Sequence, residues 1–182
     1  MWISSAPLRI SLASGGTDVP SYARRFGGTV LGATTDLRVT VVGRRTGAHR
    51  HIRACLDECS STASGDIANP FAREALRRHW DGSPLELASF GDVPGGSGLG
   101  SSSAFCVALV SGLENGRLTP GAAAEAASSI EMHGLGRPVG LAGPVPVRVR
   151  RLPPPALRPP TVAWRWRKYR STRTSSAAWM RS

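Results

Sequence analysis

The run Pro94-Gly95-Gly96-Ser97-Gly98-Leu99-Gly100-Ser101-Ser102-Ser103-Ala104 limits the possible folds more than any other stretch of this chain. Four glycines within six residues disfavour a regular helix or strand, because glycine loses the most backbone freedom on ordering. Directly afterwards Phe105, Ala108, Leu109 and Gly112 recur at helical spacing, which predicts a helix over residues 101–113 with one packed face. A glycine turn that opens a helix aims unpaired backbone N–H groups and the positive end of the helix dipole at one spot, a natural place for phosphate. The hydroxyls of Ser101, Ser102 and Ser103 add donors and offer oxygen to Mg²⁺, a hard cation. No Gly-Lys-Ser/Thr follows, so this is not a Walker A loop. From the residues alone, a flexible Gly/Ser connection is the competing reading.

Around this loop the patterning indicates an α+β domain. Leu8, Ile10 and Leu12 alternate with Arg9 and Ser11, predicting a half-buried strand that ends at Gly15-Gly16. A second β stretch over residues 29–42, interrupted at Thr35-Asp36, resembles a hairpin with Leu37, Val39 and Val41 on one face. Asn69-Pro70 is an N-cap and first-turn pair for a helix bearing Phe71, Ala75, Leu76 and His79, which should stop before Gly82. Residues 85–89 read as a short strand. Thr119-Pro120 opens a last helix, with a small-residue face of Ala123, Ala126 and Ala127 plus Ile130, ending near His133.

Charge divides the chain in two. Residues 1–140 hold 13 Arg and 12 Asp+Glu, net +1, whereas residues 141–182 hold nine Arg, Lys168 and no acid, net +10. The second segment also carries 7 of the 14 prolines and 3 of the 5 tryptophans. The expected organisation is a domain over 1–140 and a basic, disordered tail over 141–182 that binds nucleic acid only non-specifically. The three cysteines, Cys55, Cys59 and Cys106, form no CxxC pair, which reads as a reduced, cytoplasmic setting. Cys106 falls on the apolar helix face and reads as core. The sequence has neither a leader pattern nor an apolar run approaching the roughly 18 residues of a membrane span.

Three motifs in order resemble those of the GHMP kinases, the heptose 7-phosphate kinase branch in particular. Pro7-Leu8-Arg9-Ile10-Ser11 with Gly15-Gly16-Thr17-Asp18-Val19-Pro20-Ser21-Tyr22 is similar to the substrate segment. Pro94 to Ser103 resembles the ATP-phosphate loop, and Ile130-Glu131 through Leu135-Gly136-Arg137-Pro138-Val139-Gly140 resembles the segment with the magnesium-binding Glu. The resemblance implies the ribosomal protein S5 domain 2-like fold of the family's N-terminal domain, with ATP and Mg²⁺ as cofactors. It further implies ATP contact by Pro94, Gly95, Gly96, Ser97, Gly98, Leu99, Gly100, Ser101, Ser102 and Ser103, and metal ligation by Ser102 and Glu131. Sugar contact falls to Arg9, Thr17 and Asp18. The reaction implied is phosphorylation of a heptose 7-phosphate on its anomeric hydroxyl, with a fucose- or octose-type sugar as the alternative; composition leaves a basic nucleic-acid-binding protein, acting through the Arg-rich tail, as the other alternative. From pattern alone, Glu131 reads equally as a solvated helix residue, Asp18 as a helix N-cap, and His133 as a surface or cap residue.

In the family, Lys-Gln-Asp-Gln-Tyr follows the position of Gly140 and its Asp is the catalytic carboxylate, with a second domain beyond. Here the chain reads Leu141-Ala142-Gly143-Pro144-Val145-Pro146, and no acid follows Glu131. Ala-Gly-Pro-Val-Pro can be written GCA-GGA-CCA-GTA-CCN, and the neighbouring frame then contains CAG-GAC-CAG-TAC, which encodes Gln-Asp-Gln-Tyr. A frame slip after Gly140 therefore accounts for the acid-free tail. It also predicts a truncated chain that has no catalytic residue and is inactive as a kinase.

Overall fold

The computed structural model describes residues 1–13, 16–56, 59–62, 66–137 and 150–152. Strand β1 (Trp2–Ala13) leads through helix α1 (Pro20–Phe26) into a long strand β2 (Gly28–Arg45). Then come β3 (Ile52–Cys55), β4 (Cys59–Thr62), helix α2 (Pro70–His79) and β5 (Leu85–Gly91). Helices α3 (Ser101–Leu113) and α4 (Pro120–Ser129), a π-helical turn (Ile130–Gly134) and β6 (Arg150–Leu152) complete the order. The sheet runs β1-β2-β5-β3-β4, and β6 pairs with β2 over Gly28, Thr29 and Val30. All these pairs are antiparallel except β3–β5. This is the α+β arrangement the patterning implied.

Helices α2, α3 and α4 pack on one face of the sheet. Ala6, Leu8, Val39, Val41, Ile52, Ala54, Leu85 and Leu87 point into that face and meet Leu76, Ala108, Leu109 and Leu113. Trp2 fixes the spacing between sheet and helix. Its indole lies between Gly43 of β2 and Gly112 of α3, and a Cβ on either glycine would overlap the ring. Helices α2 and α4 begin at the expected caps: Asn69 Oδ1 accepts from Ala72 N–H at 3.0 Å, and Thr119 Oγ1 accepts from Ala122 N–H at 3.2 Å.

Several expectations change. Residues 29–42 are no hairpin but part of one continuous strand, β2, and the interruption at Thr35-Asp36 is a bulge against β1. Pro7 pairs with Arg38 and Arg9 with Thr34, so β2 carries three intervening residues where β1 has one. The bulge breaks the alternation, leaving Leu37 exposed although Val39 and Val41 are buried. Ile10 and Leu12 are exposed as well, because the β1–β2 ribbon runs past the helices beyond Leu8. Helix α1 was not anticipated: none of its residues is buried, so it leaves no apolar period to detect. Strands β3 and β4 were missed too. Cys106 is core as expected, but Cys55 is disulfide-bonded, against the reduced reading, and its Cα partner in β4 is Cys59. Apart from β6, the expectations for residues 141–182 lie outside the described residues.

Candidate active site

The glycine loop is fastened at both ends. At its start, Asp92 Oδ2 accepts from Arg38 N–H at 2.7 Å and Asp92 N–H donates to Arg38 C=O at 3.1 Å, which ties the loop to the bulged part of β2. The Arg38 guanidinium in turn donates to Ser5 Oγ at 2.8 Å and to Ser5 C=O at 3.1 Å. At its end, Arg9 N–H donates to Leu99 C=O at 3.0 Å, which ties the loop to β1. Gly96, Gly98 and Gly100 take φ of 82°, 75° and 75°, left-handed values that favour glycine. At Gly98 a Cβ would point into open space, so the requirement there is purely conformational. At Gly100 a Cβ would also stand 3.3 Å from Cγ and Nε of Arg9.

Gly100 is the N-cap of α3 and offers no side-chain cap, unlike Asn69 and Thr119 at α2 and α4. The first turn of α3, formed by Ser101, Ser102 and Ser103, therefore presents backbone donors toward the loop. Ser101 and Ser102 are half-buried, whereas Ser103 is buried.

Glu131 reaches this turn from the other side. It is 2% exposed and hydrogen-bonded to Ser103, while its Oε1 has no hydrogen-bond partner. Burial pushes the carboxyl above its ordinary range; the Ser103 hydroxyl and the charges of Arg137 and Arg9 pull the other way. Burial also pushes the Cys106 thiol up, with the nearby Glu131 charge adding to the effect. Glu131 is no solvated helix residue. It sits in the π-helical turn that follows α4, where Leu135 N–H reaches back to Ile130 C=O at 3.0 Å. Such turns widen the helix by one residue and are frequent at functional sites.

Arg9, Gly100, Ser103 and Glu131 thus come together. Thr17 is tied elsewhere, its Oγ1 donating to Thr29 C=O at 3.0 Å at the start of β2. Asp18 is buried at 7% exposure in the turn Gly16–Val19; Val19, not Asp18, is the N-cap of α1. His133 is a surface residue whose Nδ1 lies 3.4 Å from Ser129 Oγ. The sequence pairs Glu131 with Ser102 as metal ligands, whereas in the fold its hydrogen bond is to Ser103. It gave no role to Phe71, whose ring lies 4.7 Å from the Arg137 guanidinium. No spacing rule connects residues so far apart in sequence.

Residues 67–145 match the family described as GHMP kinases N terminal domain. The matched stretch holds the glycine loop, helix α3 and Glu131. Over 124 residues it is 31% identical to a D-glycero-alpha-D-manno-heptose 7-phosphate kinase of Campylobacter jejuni, covering 59% of this chain and 35% of that one. It superposes on a D-glycero-D-manno-heptose 1-phosphate kinase from Bacteroides thetaiotaomicron with a TM-score of 0.68 at 26% identity, covering 78% of this chain and 51% of that one. The mevalonate kinase of Methanococcus jannaschii shares the fold, with a TM-score of 0.60 at 16% identity, covering 75% of this chain and 48% of that one. This chain thus spans between about a third and a half of the length of these relatives. Among the described residues, no helix is long and apolar enough to cross a membrane.

The residues around the loop suit magnesium. Among the described residues no three His, Cys, Asp or Glu gather as a metal cage. Mg²⁺ does not need one: it is commonly held by one or two carboxylates together with water and substrate phosphates. A buried, unpartnered carboxylate oxygen beside a turn of serine hydroxyls would fit the protein's share of such a shell.

Proposed function

We propose that residues 1–140 form the ATP-binding lobe of a sugar kinase that transfers the γ-phosphate of ATP to the anomeric hydroxyl of a heptose 7-phosphate. The observation that carries this reading is the meeting of an uncapped helix start, three left-handed glycines and the unpartnered Glu131 oxygen at one spot. Backbone N–H groups of residues 95–103 cradle the ATP phosphates, and Ser102 and Glu131 hold the metal. Magnesium, when bound, neutralises charge on the phosphate oxygens. Arg9, in the substrate segment and beside Gly100 of the loop, offers a guanidinium suited to an anionic oxygen, and Thr17 and Asp18 contact the sugar. The heptose assignment rests on the relatives' substrates and on the motif at Thr17-Asp18.

Residues 141–182 offer no carboxylate to orient or deprotonate the attacking hydroxyl, so the lobe as written binds nucleotide without efficient turnover. The test is displacement of a fluorescent ATP analogue from the purified 182-residue protein by ATP, with and without Mg²⁺. A duplex oligonucleotide is the competitor at low and high salt. ATP should displace the probe at both salts, and the oligonucleotide should act only at low salt. Restoring the frame after Gly140 should bring ATP consumption dependent on heptose 7-phosphate in preference to fucose. No nucleotide binding, or equal turnover by the 182-residue and frame-restored proteins, would overturn the reading.

A further inference from the structure

The π-helical turn does more than present Glu131. After it the chain folds back sharply: Leu135 N–H closes onto Ile130 C=O and Arg137 N–H onto Glu131 C=O, each at 3.0 Å. Arg137 therefore bonds through its own backbone to the residue whose carboxylate is buried beside Ser103. Its guanidinium, meanwhile, stacks 4.7 Å from the ring centroid of Phe71. Phe71 is itself fixed. It is 8% exposed in the first turn of α2, where Asn69 caps Ala72 and the Arg73 guanidinium donates to Ile67 C=O at 3.1 Å. A continuous path of contacts thus runs from the start of α2 through Phe71 and Arg137 to Glu131.

We propose that Arg137 is a positioning residue for Glu131: stacked on Phe71 and bonded to the Glu131 carbonyl, it sets where the buried carboxylate points and so how well the site accepts a divalent cation with nucleotide. This inference rests on the phosphate-loop reading above. The Arg137 charge also falls within reach of the Glu131 carboxylate, together with that of Arg9. Arginine suits the task because its planar guanidinium lies flat on an aromatic ring, a contact that the flexible lysine ammonium does not reproduce.

The test uses the 182-residue protein with Arg137→Ala, Arg137→Lys and Phe71→Leu. The affinity of a fluorescent ATP analogue is measured in Mg²⁺ and again in EDTA, alongside the melting temperature. In Arg137→Ala the Mg²⁺-dependent gain in affinity should fall roughly 10-fold or more, as residues that orient metal ligands commonly do. Affinity in EDTA should stay within about 2-fold of the parent, since the loop's backbone donors are untouched. Arg137→Lys should recover only a minor part of the gain, and Phe71→Leu should lose it in the same selective way. Equal losses in Mg²⁺ and EDTA, or full recovery by lysine, would overturn the proposal. If the parent binds no nucleotide under either condition, the phosphate-loop reading fails first and this inference falls with it. If the parent gains affinity with Mg²⁺ and Arg137→Ala gains just as much, only the role of Arg137 is refuted.

Discussion

Glu131→Gln should make this protein more stable while removing its metal-assisted nucleotide binding. Glu131 is almost wholly buried, and one of its two oxygens has no hydrogen-bond partner. A buried group left unsatisfied costs about 1–3 kcal/mol, and more when charged. Glutamine matches the shape, keeps an oxygen for the Ser103 hydroxyl and removes the charge, though its buried N–H donors reintroduce part of the penalty. A net gain of about 1 kcal/mol follows, or about 3–5 °C in Tm for a domain of this size. Linkage fixes the sign of the pH effect. Burial holds the folded-state pKa of Glu131 above its unfolded value, so the folded protein binds this proton more tightly than the unfolded chain does. The parent therefore loses stability as pH rises from the unfolded value through the raised folded one, and Glu131→Gln does not. Thermal melts of both proteins from pH 4 to pH 8, subtracted from each other, isolate this group from the other carboxylates. The difference should grow with pH in favour of glutamine, while Mg²⁺ ceases to strengthen nucleotide binding. A variant that melts lower than the parent at neutral pH, or a difference flat across that range, would refute the account of Glu131 as a desolvated carboxylate held for a ligand.

Gly98→Val should abolish binding of a fluorescent ATP analogue with little change in Tm, because φ of 75° excludes a β-branched residue although space around the position is open. Ser102→Ala should weaken binding in Mg²⁺ more than in EDTA, as read by the same titration. Glu74, whose carboxyl is lowered to about 2 chiefly by the hydrogen bond from Arg77 and also by Arg78, contributes stability that is present above its unfolded value and lost as pH falls through about 2. In acid melts Glu74→Gln should flatten that part of the parent's decline. Deleting residues 141–182 should remove most retention on heparin at moderate salt, since they carry net +10 against +1 for the rest; a shortened protein that elutes with the parent would contradict this.

The legible parts of this molecule were those governed by local rules. Asn69-Pro70, Thr119-Pro120 and the glycine loop each set a backbone geometry through their own chemistry, and α2, α4 and α3 begin where those residues stand. The illegible parts depend on partners distant in sequence. A bulge and a turn both interrupt alternation, so Thr35-Asp36 could not reveal that Arg9 and Thr34 face each other across it. Helix α1 buries nothing and gives no periodic signal. At the site, motif order singled out Arg9, Gly100 and Glu131 for three different roles, and the fold brings them near one another. The contact to Ser103 instead of Ser102 depends on rotation about the α3 axis and on the π-helical turn, neither of which the residue pattern encodes.

The indole of Trp2, seated between Gly43 and Gly112, has a consequence for the order in which the protein is made. Its glycine seat on α3 is synthesised 110 residues after it, a delay on the order of 5–20 s at ordinary translation rates. During that interval β1 can pair with β2, but its bulkiest side chain has only half a socket and remains open to solvent. The nascent chain is then a sticky intermediate whose first strand is secured among its last contacts, and the long reach from residue 2 to residue 112 slows that closure. A factor that shields exposed aromatic surface on emerging chains should therefore raise the yield of this fold more than one that acts after release.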